Sequence, residues 1–531
     1  MKTILPRLFW CWVLVLGFPV VTTVATDQAQ WGRAWTRNMV SDEKGLPDSV
    51  DPETGKNIKW IASLGTESYS TPIVAGGRVY IGTNNGEPRD PKHQGDRGIL
   101  MCFDENTGNF LWQLVVPKRE EDPYFDWPNT GISSPVTVQG DRVYTVSSRG
   151  EVLCLDARGM ANGNDGPFLD EAAHMTPSSN GGSPPKPVAG AETRPEPLHA
   201  PADGKLIQPG PLDADIIWVF DLASGAGIWP HDGAHSSILI DGNYLYLNTG
   251  TGVDNTHKRV RTPDAPSLVV LDKKTGRLIA RDNEHMASDI FHCTWSSPSL
   301  GTVNGRRLIF FAGGNGVVYA FDALPRGLQT TNSAVQLLKS VWHFDFDPAA
   351  PKTDIHQYLS NRREGPSNIY GLPVFDHNRL YVAGGGDNFW GKNEAWLKCI
   401  NTTKTGNITT NGLLWSHPLQ KHVMSTPAIH GGLAFIADCG GAFHCLDAET
   451  GRPYWTDNIE GGAWASPLVA DGKVYVGTRS GKFYVFAEGK QKQLISSTDF
   501  KSPISATATA ANGVLYIATM TRLYATQNMT N

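Results

Sequence analysis

Residues 425–455 read STPAIHGGLAFIADCGGAFHCLDAETGRPYW, and three features of this run decide the fold. A Ser425-Thr426-Pro427 step precedes the alternating stretch LAFIAD, whose period of two is that of a half-buried strand. A glycine turn then leads to the strand ending in HCLD. Asp447-Ala448-Glu449-Thr450-Gly451 turns the chain again, into a fourth strand carrying Trp455. Glycine closes that turn because a positive φ is required there. Four short strands joined by such turns make one blade of a β-propeller when the unit repeats.

The unit does repeat. Ser70-Thr71-Pro72 leads into RVYIGT, Ser133-Ser134-Pro135 into RVYTVS, Ser296-Ser297-Pro298 into RLIFFAG, and Ala465-Ser466-Pro467 into KVYVGT. Partial copies start at Ser236-Ser237-Ile238, Gly371-Leu372-Pro373 and Ser505-Ala506-Thr507, which brings the count to eight. Asp104-Glu105-Asn106-Thr107-Gly108 with Trp112 repeats the Asp-x-x-Thr-Gly turn most fully. The large rings of Trp60, Trp112 and Trp455 suit the seams between blades.

The ends of the chain suggest how the ring closes. Asp51-Pro52-Glu53-Thr54-Gly55 and Trp60 form the outer half of a repeat with no inner strands before it, and the last repeat stops after Tyr524-Ala525. A strand over residues 58–64 is therefore expected to complete the C-terminal blade beside the 514–518 unit, removing two open edges. The expectation is an all-β, eight-bladed propeller over 58–527, closed by an N-terminal strand and carrying long inter-strand insertions. The largest insertion spans 157–214 and is Pro-rich and polar. Residues 26–57 form a lead-in with no assigned role.

Lys2 and Arg7, an apolar core from Leu8 to Val21 and Thr23-Val24-Ala25 read as a signal peptide over 1–25, and the apolar run is too short to span a bilayer. The mature chain is expected in the periplasm or outside the cell, or peripheral to an outer membrane, with no transmembrane segment after cleavage. Its composition, with Gly 56, Pro 35, Trp 16 and a formal charge of -6, suits turns and strands and lacks the basic stripe of a nucleic-acid binder. Six cysteines remain: Cys102, Cys154, Cys293, Cys399, Cys439 and Cys445. Their spacing suits packed thiols on equivalent strands better than a disulfide scaffold or zinc site.

With its Asp-x-x-Thr-Gly-x-x-x-Trp repeats, the chain resembles the PQQ-like β-propeller superfamily of quinoprotein alcohol dehydrogenases and the assembly lipoprotein BamB. A closer likeness is to exported bacterial proteins with PQQ-binding-like repeats, which it resembles through DPYFDWPNTGISSP (122–135), LDARGMANGNDGPFLDEAAHMTP (155–177), APSLVVLDKKTG (265–276) and FHCTWSSPS (291–299). The dehydrogenase resemblance implies pyrroloquinoline quinone (PQQ) stacked between a Trp and a disulfide of adjacent cysteines, near Ca²⁺. This sequence has no Cys-Cys pair. Two readings follow: a binding or protein-assembly scaffold with no assigned cofactor, and, as the alternative, a PQQ- and calcium-dependent dehydrogenase of an alcohol or sugar.

Residues just before the Ser-Pro steps should ring one mouth of the channel: Tyr69, His235, His292, Trp295, Tyr370, His422, Met424 and Trp464. Rings and imidazoles there suit a planar ligand, a sugar or a protein partner, or else simply fill the core. His231, Asp232 and His235, with Asp289 and His292 in the next repeat, have the donor chemistry of a transition-metal site, though backbone hydrogen bonds would also satisfy them. Asn162, Asn164, Asp165, Asp170 and Glu171 offer oxygens for Ca²⁺ or a solvated turn.

Overall fold

The computed structural model describes residues 26–119, 127–177, 204–233, 235–327 and 334–529. The leader over 1–25 and the middle of the 157–214 insertion lie outside the described residues. Eight antiparallel sheets form the blades of one propeller. Their innermost strands begin at Ile73, Thr137, Leu239, Ser299, Val374, Ala428, Leu468 and Thr509, each just after one of the quoted steps. We number the blades one to eight in that order.

Ring closure follows from pairing at the chain ends. Ile58–Ser63 lies antiparallel to Arg522–Thr526, with Ile61 opposite Tyr524, and so forms the outer strand of blade eight. Its direct neighbour is Arg522–Thr526, and Val514–Ala518 is one strand further in. Blades three and four depart from the four-strand expectation. Gln336–Leu338 adds parallel to Leu278–Asp282, and Gly406–Asn407 adds parallel to Ser340–Asp345. Long connections double back there and cover outer edges that would otherwise face solvent unpaired.

The Asp-x-x-Thr-Gly turn locks neighbouring blades together. Asp104 Oδ1 accepts hydrogen bonds from the Asn106 and Thr107 amides and the Thr107 hydroxyl, and Asp272 and Asp447 repeat the pattern. The turn glycine then meets a tryptophan of the preceding blade. A Cβ on Gly108 would lie 2.6 Å from the Trp60 ring, and one on Gly276 or Gly451 would lie 2.5 Å from Trp218 or Trp415. Indoles also donate to carbonyls across the seams: Trp60 to Glu105 at 2.9 Å, Trp112 to Ala157 at 3.0 Å and Trp455 to Gly489 at 2.9 Å. Trp218 and Trp415, which the sequence did not single out, do so as well.

A second belt runs around the inner strands, and it explains the Ser/Thr-Pro step. The Ser237 amide donates to the Ser297 hydroxyl, the Leu372 amide to Thr426, the Thr426 amide to Ser466, the Ser466 amide to Thr507 and the Thr507 amide to Thr71. Each amide thereby finds an acceptor that its own sheet cannot supply at an innermost edge.

The lead-in over 26–57 is the largest feature the sequence left unread. Residues 28–41 cross the bottom of the channel and bond to the innermost strand of every blade. Val74, Val138, Leu300, Phe375 and Val469 donate their amides to Gln28, Ala29, Trp35, Thr36 and Met39 in turn. Blade three receives the Trp35 indole at the Ile240 carbonyl, the Asn38 amide group brackets Ile429 of blade six, and the Ser41 hydroxyl reaches Ala510 of blade eight.

Trp60 is 8% exposed and packs with Tyr516 and the Gly108 turn. Trp60→Ala is therefore expected to lower unfolding free energy by about 3 kcal/mol, measured by denaturant titration. A chain beginning at Leu64 is expected to melt well below the full mature chain, and equal melting temperatures would contradict the closure.

Candidate functional site

In this topology the segments leading into the innermost strands share one face with the loops between second and third strands. The Asp-x-x-Thr-Gly turns lie on the opposite face. With the bottom closed by the lead-in, the first face is the open mouth.

A strip of partly exposed rings crosses it. Tyr69 stacks on Trp464 with centroids 6.2 Å apart, Trp464 meets Phe389 at 6.1 Å, Phe389 meets Trp295 at 6.1 Å, and Trp295 meets His235 at 4.7 Å. The Arg479 guanidinium lies 4.3 Å from the Trp464 centroid and donates to the Ser505 hydroxyl. Among the described residues it makes no ion pair with a carboxylate. The Trp295 indole N–H is buried and has no hydrogen-bond partner among the described residues.

Phe389 reaches both blade four and blade seven because its loop from blade five is pinned. Asp387 Oδ1 accepts from the Phe389 and Trp390 amides at 2.9 and 2.6 Å. Arg362 donates to the carbonyls of Asn388, Phe389 and Gly391. The other Asp387 oxygen takes the Tyr370 hydroxyl and faces His292 Nδ1 at 2.9 Å. Burial opposes ionisation of Asp387, but the His292 imidazole and the bonds from His292, Tyr370 and the Trp390 amide prevail and hold the carboxyl well below its usual range. For His292 burial likewise disfavours charge, and the neighbouring Cys293 and Asp387 carry it well above its usual value.

Beside this clamp lie three imidazoles. His231, His257 and His292 have ring centroids 4.6 to 5.3 Å apart. Asp232 Oδ2 is 3.6 Å from His231 Nε2 and 3.9 Å from His292 Nε2. Burial, reinforced by the neighbouring histidines, lowers His231 to about 3 and His257 to about 4. Burial raises the Asp232 carboxyl.

Of the residues expected at the mouth, Tyr69, His235, Trp295 and Trp464 share the ring strip. His292 and Tyr370 are buried in the Asp387 clamp. His422 is buried at 6% with its backbone carbonyl bonded to Cys439, and Met424 is partly exposed two residues on. The structure gathers His231, Asp232 and His292 as the sequence suggested, while His235 turns to Trp295 and Asp289 lies apart. His257, Asp387, Phe389 and Arg479 were not foreseen, because each sits on a loop between second and third strands and carries no repeat signature. In the 157–214 insertion Asp165 meets Asp156 and Asp215, whereas the Asn162 and Asn164 amides donate to Asp165 and Glu171. None of the six cysteines is bonded to another.

A family model described as outer membrane protein assembly factor BamB matches residues 96–161 and 404–494. BamB of Legionella pneumophila (strain Paris) is 27% identical over 117 residues, an alignment covering 22% of this chain and 27% of that protein. The chain is a PQQ-like repeat propeller. It is also 24% identical over 513 residues to the lanthanide-dependent methanol dehydrogenase of Methylacidiphilum fumariolicum (strain SolV), covering 89% of this propeller and 72% of that enzyme. Among solved structures, BamB from Moraxella catarrhalis superposes with TM-score 0.48 at 14% identity, covering 88% of this propeller and 98% of that chain. The computationally designed Ika8 protein superposes with TM-score 0.46 at 11% identity, covering 91% and 99%.

The mouth of this PQQ-like propeller does not fit the calcium-assisted quinone arrangement that its dehydrogenase resemblance implies. The adjacent-cysteine lid is missing from the sequence. One donor set at the mouth is three imidazoles, which suit borderline-soft cations rather than hard Ca²⁺. Asp387→Asn is expected to cost about 3 kcal/mol of stability, since it leaves a buried charged partner unpaired. Limited proteolysis should then cut near Phe389 sooner than in the parent protein.

Proposed function

We propose that this propeller is exported and binds a small, flat, anionic molecule at its open mouth. The supporting observation is the continuous ring strip from Tyr69 to His235 with Arg479 at one end, a guanidinium that no described carboxylate neutralises. Flat rings supply contact area at low entropic cost, and Arg is the natural partner of a carboxylate. The buried Trp295 N–H adds a donor that a ligand oxygen would satisfy. His422 and Met424 border the strip and belong to the same proposed binding surface, along with Tyr370 and His292 beneath it.

Two observations favour other readings. The match to the BamB family supports a protein partner at this face, as in an assembly scaffold. The 513-residue alignment to a lanthanide-dependent methanol dehydrogenase supports the dehydrogenase alternative. For export, no helix among the described residues is long and apolar enough to cross a membrane, and the 1–25 segment reads as a leader.

PQQ itself, a planar tricarboxylate, serves as probe. It is expected to quench tryptophan fluorescence saturably, and Arg479→Gln should weaken binding about tenfold, or about 1.4 kcal/mol, without changing the melting temperature. Dye-linked alcohol or sugar oxidation in the presence of PQQ and Ca²⁺ that vanishes on chelation would favour the dehydrogenase instead. No quenching, together with co-purification of outer-membrane assembly proteins, would favour the scaffold. N-terminal sequencing of the mature protein is expected to begin at or near Thr26, and intact Met1 in a cytoplasmic fraction would contradict export.

A further inference from the structure

We infer that His231, His257 and His292, with Asp232, form a binding site for a late first-row divalent cation, zinc being the reference metal. Candidate ligand atoms from the three histidines all lie within 4.8 Å of one another, and two of the three side chains are buried. Asp232 Oδ2 stands 3.6 Å from His231 Nε2 and 3.9 Å from His292 Nε2. Tetrahedral zinc with bonds of about 2.1 Å holds its ligand atoms roughly 3.4 Å apart. Small side-chain adjustments therefore close the set without moving a strand.

The neighbours of the ligands strengthen the assignment. Metal-bound imidazoles use one nitrogen for the cation and give the other N–H to a carboxylate or carbonyl, which fixes the tautomer. Here His292 Nδ1 faces Asp387 at 2.9 Å, and His231 Nδ1 faces the Val253 carbonyl at 2.9 Å. Both arrangements turn Nε2 toward Asp232. His292 is only 2% exposed, and its Nε2 has no hydrogen-bond partner among the described residues. A ring nitrogen left unpaired in a dry site costs stability, and a cation taking the place of its proton would satisfy it.

Charge and chemistry agree on the kind of ion. Asp232 and Asp387 bring two carboxylates to the cluster, so a divalent cation balances them with no excess buried charge. Imidazole-rich sets favour Zn²⁺ and Cu²⁺ over Ca²⁺ and Mg²⁺. Asp387 acts as a positioning residue, because it touches His292 and not the proposed ion. Two of the ligands are held by left-handed backbone, Asp232 at φ 58° and His257 at φ 57°, and the second closes a turn in which Asp254 accepts the His257 amide. His257 and Asp232 are the partly exposed members, so the cation site opens on the same mouth as the ring strip. The inference does not depend on that strip binding a ligand.

The test uses the full mature chain, stripped with a chelator and dialysed. Calorimetric titration with Zn²⁺ should give one equivalent bound at about micromolar free metal or tighter. Co²⁺ should give the intense visible bands of a four-coordinate nitrogen and oxygen set. His257→Ala is the main variant, because its partly exposed loop position spares the core, and it should weaken zinc binding about a hundredfold or more. Asp232→Asn should weaken it about tenfold and Arg479→Gln not at all. Circular dichroism of the metal-free variants shows whether each is folded. The site is refuted if the parent chain binds no stoichiometric zinc, or if folded His257→Ala and Asp232→Asn both bind it as tightly as the parent.

Discussion

An eight-bladed ring has a weak point at its centre, where eight innermost strands each present an edge that no strand of their own sheet can pair. Here one segment, residues 28–41, meets that need for all eight. Its hub is Arg37, wholly buried and bonded to four neutral oxygens: the Trp31, Pro298 and Ser237 carbonyls and the Ser237 hydroxyl. Burial alone pulls the guanidinium down to about 9. A cation held so deep among carbonyls is tolerable only because its donors are satisfied, and those same carbonyls come from blades three and four and from the segment itself. The channel is thus a cup, closed at the bottom and open at its rim.

Two further belts hold the cup's shape. Inside, Ser and Thr hydroxyls of the repeat steps link one innermost strand to the next. Outside, Asp-x-x-Thr-Gly turns receive the indole of the preceding blade. Blade four is the exception: its Trp342 is buried, yet its indole N–H has no partner among the described residues, and no turn glycine lies against the ring as Gly108, Gly276 and Gly451 lie against theirs. With both belts fixed, loops between second and third strands are free to vary in length and to reach across the rim, as Phe389 does.

The rim concentrates buried polar groups. Asp387 joins Tyr370, His292 and the Phe389 loop in one clamp, so the position of the ring strip and the orientation of the imidazoles are mechanically the same problem. That coupling explains why aromatic platform and histidine cluster lie side by side although they come from different blades.

The sequence by itself determined the all-β class, the eight repeats, the closing strand and the docking role of tryptophans such as Trp60. Each of these rests on residues close together in the chain, where turn φ angles, strand alternation and a glycine before an indole are local requirements. It also placed Tyr69, His235, Trp295 and Trp464 near one mouth, because the repeat fixes what precedes an innermost strand. Only the tertiary structure decided the bottom plug and the addition of His257 and Asp387 to His231, Asp232 and His292, which the sequence had already drawn together. Those residues come from three blades and from loops without a repeat signature, so their meeting depends on how far each loop leans over the rim, a matter of packing across the ring and not of spacing along it.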